Sequence, residues 1–138
     1  MENLEKNDRL SSAQPSEIAA EAVRILSLKQ GLSIAEYRVT DTSVLTDYYV
    51  ICSGRSSTHV KALADDVAYQ LSQAGVEVLH TEGLETGEWV LLDLGVVFVH
   101  VFSPDAREFY KLERLIDESQ KVDITDIIAS LDAQMKAD

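Results

Sequence analysis

Cysteine is nearly absent from this chain of 138 residues: Cys52 stands alone. A single thiol closes no internal disulfide, so the fold must rest on a packed core, and a reducing compartment is the expected setting. Cations are scarce as well. Lys and Arg total 12 against 24 Asp and Glu, a formal charge of -12. Such a surface repels nucleic-acid phosphates, which argues against autonomous DNA or RNA binding, and it steers the protein toward basic partners. Solubility is the other use of the same charge. Long apolar runs are missing too. None approaches the roughly 20 residues of a membrane helix, and the longest, WVLLDLGVVFVHVF, is broken by Asp93 and Gly95. The opening MENLEKNDRLSSAQ lacks the apolar segment of a secretory signal and the Arg-rich pattern of a transit peptide. A soluble, cytoplasmic protein with no membrane partner is expected, with a flexible N-terminus over 1–14.

Motifs for catalysis are also lacking. No Gly-Lys-Ser/Thr follows the Ser-Gly turn in DYYVICSGRSSTHVKALADD, residues 47–66, and no G-x-G-x-x-G occurs. The turn therefore reads as a strand-to-helix connection with a serine cap rather than a phosphate cradle. Asp65 and Asp66 are adjacent within the following helix. They diverge by about 100° around its axis, so they read as a solvated face rather than a metal pair. His59, His80 and His100 share no close ligand spacing. His59 falls in the first turn of a helix, where the dipole disfavours its charged form. His100 falls inside a strand, where a satisfied sheet histidine is expected. Cys52 sits mid-strand in apolar company and reads as buried and inert. No cofactor, metal or catalytic triad is indicated, and an enzyme has little support.

What is present fits one domain. Apolar residues are 46% of the chain, enough for a real core. Helical periodicity runs from Pro15 to Gln30, with Gly31 suited to the position past its end. Strands are expected in SIAEYRVT and in DYYVICS. In the second, Tyr48, Val50 and Cys52 alternate with Tyr49 and Ile51, so both faces are apolar and the strand belongs mid-sheet. Residues 57–74 form a helix with a stripe of Val60, Leu63, Ala64, Val67, Leu71 and Ala74, capped by Ser56 or Ser57. VEVLHTEG is a strand, and EWVLLD and VVFVHVF form a hairpin around Asp93-Leu94-Gly95. SPDAREFYKLERLID begins a helix with Ser103 as cap and Pro104 at its first position. Ile124, Ile127, Ile128, Leu131 and Met135 mark a final amphipathic helix. The order α-β-β-α-β-β-β-α plus a C-terminal helix predicts an α/β (α+β) fold with a mixed sheet of about five strands and helices packed on it.

Aromatics beside charges mark candidate interface anchors. Phe109 is expected in the core. For Trp89 and Tyr110 two roles fit, core packing and interface anchoring.

Several ordered motifs, DYYVICSG with STHV, ALADDV, EG before WVLLDLG, and VHVF before REFYKLERL, resemble the ribosomal silencing factor (Iojap-like) family across residues 15–117. The resemblance implies a nucleotidyltransferase-like fold without the catalytic carboxylates. It implies a binding protein that docks on ribosomal protein L14 of the large ribosomal subunit, blocks small-subunit joining, represses translation under nutrient limitation, and is often a homodimer when free. The matching positions that could face solvent are Asp47, His59, Glu82, Trp89, Asp93, Tyr110 and Glu113, and these are expected on the partner surface. Residues 118–138 extend beyond the motifs. They would pack on the core, assist dimerisation or stay mobile. The competing readings are a nucleotide-binding or nucleotidyltransferase-like enzyme, which nucleotide titration would reveal, and a large-subunit assembly factor.

Overall fold

The computed structural model describes residues 8–137, with side chains through Asp132. The elements are α1 (Pro15–Leu28), β1 (Leu32–Arg38), β2 (Tyr48–Ser53), α2 (Ser57–Gln73), β3 (His80–Glu82), β4 (Trp89–Asp93), β5 (Val97–Phe102), α3 (Pro104–Tyr110), β6 (Lys121–Val122) and α4 (Thr125–Ala137). Single 3-10 turns at Leu112–Leu115 and Glu118–Gln120 link α3 to β6. The strands form one six-stranded mixed sheet in the order β3-β4-β5-β2-β1-β6. Only the β2–β5 pairing is parallel. The sixth strand, beyond the expected five, is the two-residue β6 on β1.

Alternation within the strands assigns two unlike faces. Val50, Cys52, Val90, Leu92, Val97, Val99 and Val101 point to the helical side and pack with the stripes of α1 and α2. The α2 stripe is buried as its periodicity requires, and the Ser56 side chain caps it by accepting the His59 N–H. Ile51, Phe102, Ala35 and Tyr37 point the other way and form a second, smaller cluster with Ala106, Leu112 and Ile116. β2 therefore lies mid-sheet with apolar groups on both sides.

Local expectations need correction at several places. α1 ends at Leu28, and Gln30, not Gly31, takes the left-handed conformation at φ 67°. Gly31 is required for closeness instead, because a Cβ there would lie 2.5 Å from the Cys52 sulfur. β3 is confined to His80–Glu82, because the Val76 N–H still closes the end of α2 on the Leu71 carbonyl. The helix expected through KLERLID stops at Tyr110. Lys111 adopts φ 47°, and this reversal lays Leu112 and Ile116 onto the second sheet face. Tertiary packing there overrides helix propensity. Phe109, expected in the core, is 78% exposed.

Residues 1–7 of the expected N-terminal lead-in lie outside the described residues. Within the rest, Leu10 is buried and its N–H donates to the Ala74 carbonyl. In the segment after residue 117, Ile124 and Ile127 pack on the main core and Leu131 is buried. The Met135 side chain lies outside the described residues.

Glu36 is the exception within this core. It stands opposite Val50 on one side and Val122 on the other, is only 3% exposed, and has no ion-pair partner among the described residues. Burial pushes its carboxyl up to about 7. The folded state therefore binds this proton more tightly than the unfolded chain. The associated stability is fully present below the unfolded value near 4.5 and is lost as pH rises through about 7. Glu36→Gln is expected to raise stability on the order of 2 kcal/mol at pH 8 and to leave it unchanged at pH 4. Urea unfolding at the two pH values checks this, and equal effects at both would refute it.

Candidate docking surface

Residues directly opposite in a ladder share a face. Trp89 opposes Phe102, Leu91 opposes His100, and Asp93 opposes Phe98. Phe98 opposes Tyr49, and His100 opposes Ile51. Glu82 opposes Leu91. These residues form the sheet face away from α1 and α2. One end of that face is covered by α3 and the 3-10 turn after it. The other end is open, and Tyr49, Leu91, Asp93 and Phe98 are only half-buried there.

Aromatic rings dominate it. Trp89 lies 4.8 Å, centroid to centroid, from both Phe102 and Tyr110. Tyr110 meets Phe109 edge-on at 5.0 Å, and Tyr49 meets His100 edge-on at 4.8 Å. Tyr110 is 53% exposed. The indole Nε1–H of Trp89 donates to His100 Nδ1 at 3.1 Å. His100 is 5% exposed, and burial pushes its imidazole down to about 4, so it is neutral near pH 7. Beside this face a recess of about 360 Å³ is lined by Val39, Val44, Leu45, Tyr49, Leu112 and Leu115. Leu115 on its rim is 82% exposed. Together they form a contiguous apolar area of the kind that marks interaction sites.

The chain around Trp89 is held by close backbone approach. Gly83 has φ 91°, and a Cβ there would lie 2.0 Å from the Trp89 carbonyl oxygen. Only glycine fits, which is the physical content of the EG pair before the tryptophan. α3 is anchored by its Ser103 cap and by Arg107. The Arg107 guanidinium donates to Ser53 Oγ at 2.8 Å, to the Ser33 carbonyl at 2.9 Å and to Glu113 Oε2 at 2.7 Å. Burial alone would raise the Glu113 carboxyl, but the Arg107 hydrogen bond carries it below its ordinary value.

The expected partner residues divide. Glu82, Trp89, Asp93, Tyr110 and Glu113 gather on or beside this face. Besides the Trp89 and Glu113 bonds already described, Glu82 accepts from His80 Nε2 at 2.8 Å, and Asp93 Oδ1 accepts the Gly95 N–H at 2.8 Å in the hairpin turn. Asp47 and His59 are not brought there. Asp47 precedes β2, beside Pro15, Arg38 and Tyr48, and its carbonyl accepts the Val39 N–H. His59 belongs to the helical layer. Its Nδ1 accepts the Arg55 N–H at 2.9 Å, which leaves Nε2–H to donate to the Lys29 carbonyl at 3.2 Å.

Those bonds also bear on the reading of the Ser-Gly turn as a strand-to-helix connection with a serine cap. The Gly54 N–H is taken by the Phe102 carbonyl, Arg55 N–H by His59, His59 N–H by Ser56 Oγ and Val60 N–H by the Ser56 carbonyl. These four donors of the turn and first helical turn are thus taken up within the chain. Asp65 is exposed, and Asp66 faces Lys29 Nζ at 4.0 Å.

Sequence reasoning missed Tyr49, Phe98 and His100 as part of the face, and Val44-Leu45 as its neighbour. For the loop, two aliphatic residues inside the polar TDTSVLTD were a usable signal. For the strand residues none existed, because membership depends on ladder register.

The model of the family described as ribosomal silencing factor during starvation matches residues 12–138. This chain belongs to the ribosomal silencing factor family. A ribosomal silencing factor of Chromobacterium violaceum is 42% identical over 72% of this chain and 81% of its own length. One of Halalkalibacterium halodurans is 33% identical over 78% and 92%. A crystal structure of a Chromobacterium violaceum protein superposes with a TM-score of 0.72 at 38% identity, covering 74% of this chain and 85% of that one. More remotely, a mouse protein named for mitochondrial assembly of the ribosomal large subunit is 29% identical over 67% of this chain and 42% of its own. The silencing-factor family is one of ribosome-associated regulators rather than enzymes.

The His59 bonds generate a test. His59→Ala removes the link from α2 to the chain leaving α1 and the bond to the Arg55 N–H. Stability should fall by about 1–2 kcal/mol. An unchanged denaturant midpoint would show that the ring is not engaged.

Proposed function

We propose that this silencing factor docks on ribosomal protein L14 of the large ribosomal subunit, in the cytoplasm, and thereby blocks joining of the small subunit and represses translation when nutrients are limiting. The observation that carries the reading is the aromatic face that runs from Trp89 and Tyr110, partly exposed beside α3, to the open end at Tyr49 and Phe98, in a member of a ribosome-associated family. Interface hot spots are built from such residues at the centre of an apolar patch. The formal charge of -12 adds long-range attraction to a basic ribosomal protein and repulsion from exposed rRNA. The docking residues are Trp89 and Tyr110, with Glu82, Asp93 and Glu113 at the rim. When free, two copies cover the same apolar area as a homodimer.

A second reading, assembly of the large subunit, is favoured by the name of the mouse relative. Both need large-subunit binding, and subunit joining separates them. Separated subunits are mixed with saturating protein before magnesium is raised, then resolved on a gradient. A reduced joined-subunit peak with the protein on the large subunit is expected. Full joining in the presence of bound protein would favour assembly, and binding to the small subunit would refute both readings.

Trp89→Ala should weaken large-subunit binding about thirtyfold, equivalent to about 2 kcal/mol. Its stability loss should stay below the about 3–5 kcal/mol of a fully buried aromatic, because one side of the ring is open. A large loss of stability with normal binding by the folded fraction would place Trp89 in the core alone.

A further inference from the structure

His100 carries an unexplained burden. Because Nδ1 accepts the indole N–H of Trp89, the proton of the neutral ring lies on Nε2. That atom is buried without a hydrogen-bond partner among the described residues. An unpaired buried donor is unfavourable, and a phenylalanine would fill the same aromatic setting without it. Four rings surround the imidazole: Tyr49, Phe98, Phe102 and Trp89 all lie within 6.4 Å of it, centroid to centroid. Of the two polar atoms that distinguish the imidazole from a phenylalanine ring, the one engaged among the described residues is the acceptor, Nδ1. Its only use among the described residues is Trp89.

The indole needs that acceptor. Trp89 sits on β4, near the sheet margin, with one side toward Phe102 and Tyr110. Packing alone leaves a partly exposed indole free to exchange one rotamer for another. A hydrogen bond from Nε1 to a ring fixed inside the sheet selects one rotamer. It also turns the polar edge of the indole inward, so the exposed part is the apolar ring. Burial keeps His100 unprotonated, which preserves the acceptor over the physiological range.

We propose that His100 is a positioning residue for the docking face, locking Trp89 through the Nε1–H to Nδ1 hydrogen bond into the one orientation that a partner meets. This rests on the docking reading above, but the lock itself is a property of the free protein and can be measured there. A preorganised anchor loses less side-chain entropy on binding.

Trp89 is the only tryptophan in the chain, so indole signals report it alone. Three measurements decide the matter. In the unmodified protein the single indole proton should exchange with solvent much more slowly than in a denatured sample; exchange at the denatured rate overturns the lock. His100→Phe keeps the ring packing and removes the acceptor, whereas His100→Asn places an oxygen close to the former Nδ1 position. The near-UV dichroism and fluorescence anisotropy of Trp89 should fall in His100→Phe and be largely restored in His100→Asn. Large-subunit affinity should fall about tenfold in His100→Phe and recover to within about threefold in His100→Asn. Equal losses in both variants would mean a packing role and overturn the proposal. Should His100→Phe fail to fold, the exchange rate and the Asn variant still decide. If the parent protein fails to bind large subunits while the indole signals behave as expected, the docking reading fails and the lock stands.

Discussion

β2 and β5 run side by side in the same direction through the middle of the sheet, six register pairs from Tyr48–Val97 to Ser53–Phe102. A parallel pair cannot be closed by a tight turn. The chain between them is used for α2 and the β3–β4 ribbon, and both are thereby fixed in place. α2 crosses the helical side, and β4 returns to the far edge of β5. β1 takes the other flank of β2. The pairing also explains why one side of the sheet is thick with helix and the other thin. The crossover and α1 occupy the first side, leaving only the short α3 and its following turns for the second.

The thin side becomes a usable surface because its rigidity comes from the sheet rather than from overlying helices. Ladder register aligns Tyr49, Phe98 and His100 across neighbouring strands, and Asp93 and Leu91 continue the row. Arg107 ties α3 to β1 and β2 through Ser33 and Ser53. Its third contact, Glu113, holds the turn beyond the Lys111 reversal. A single guanidinium thus joins three segments through hydrogen bonds of fixed geometry, a role for which lysine is poorly suited.

Much of this was legible in the sequence where periodicity and burial agreed. The two-faced alternation of DYYVICS put β2 mid-sheet, and the α2 stripe fixed which side of that helix is buried. Legibility failed where long-range packing overrode local preference. KLERLID has good helix formers, yet Leu112 and Ile116 are worth more on the sheet than on a helix pointing away from it. Phe109 is a large apolar residue left in water beside Tyr110, which no local pattern can signal. The docking face lay between these cases. Trp89 and Tyr110 stood out by residue type, whereas His100 looked like any strand histidine until register placed it beneath the indole. His59 attracted interest as a histidine at a helix start and proved to hold backbone.

A later segment of the sequence closes against an earlier one. Gln120 reaches Arg38 and Thr42 across 82 and 78 positions of sequence, and β6 covers part of β1. During synthesis at about 5–20 residues per second, the outer edge of β1 therefore waits roughly 4–16 s for its cover. An open edge is a template for pairing with another nascent chain. β1 meets that interval with its own defence: Ser33 at φ 51° and the irregular register between Leu32 and Ala35 bend the strand out of a flat line. Nascent copies on neighbouring ribosomes thus meet a short, kinked edge, and Glu36 within it further discourages a neighbouring strand from adding on.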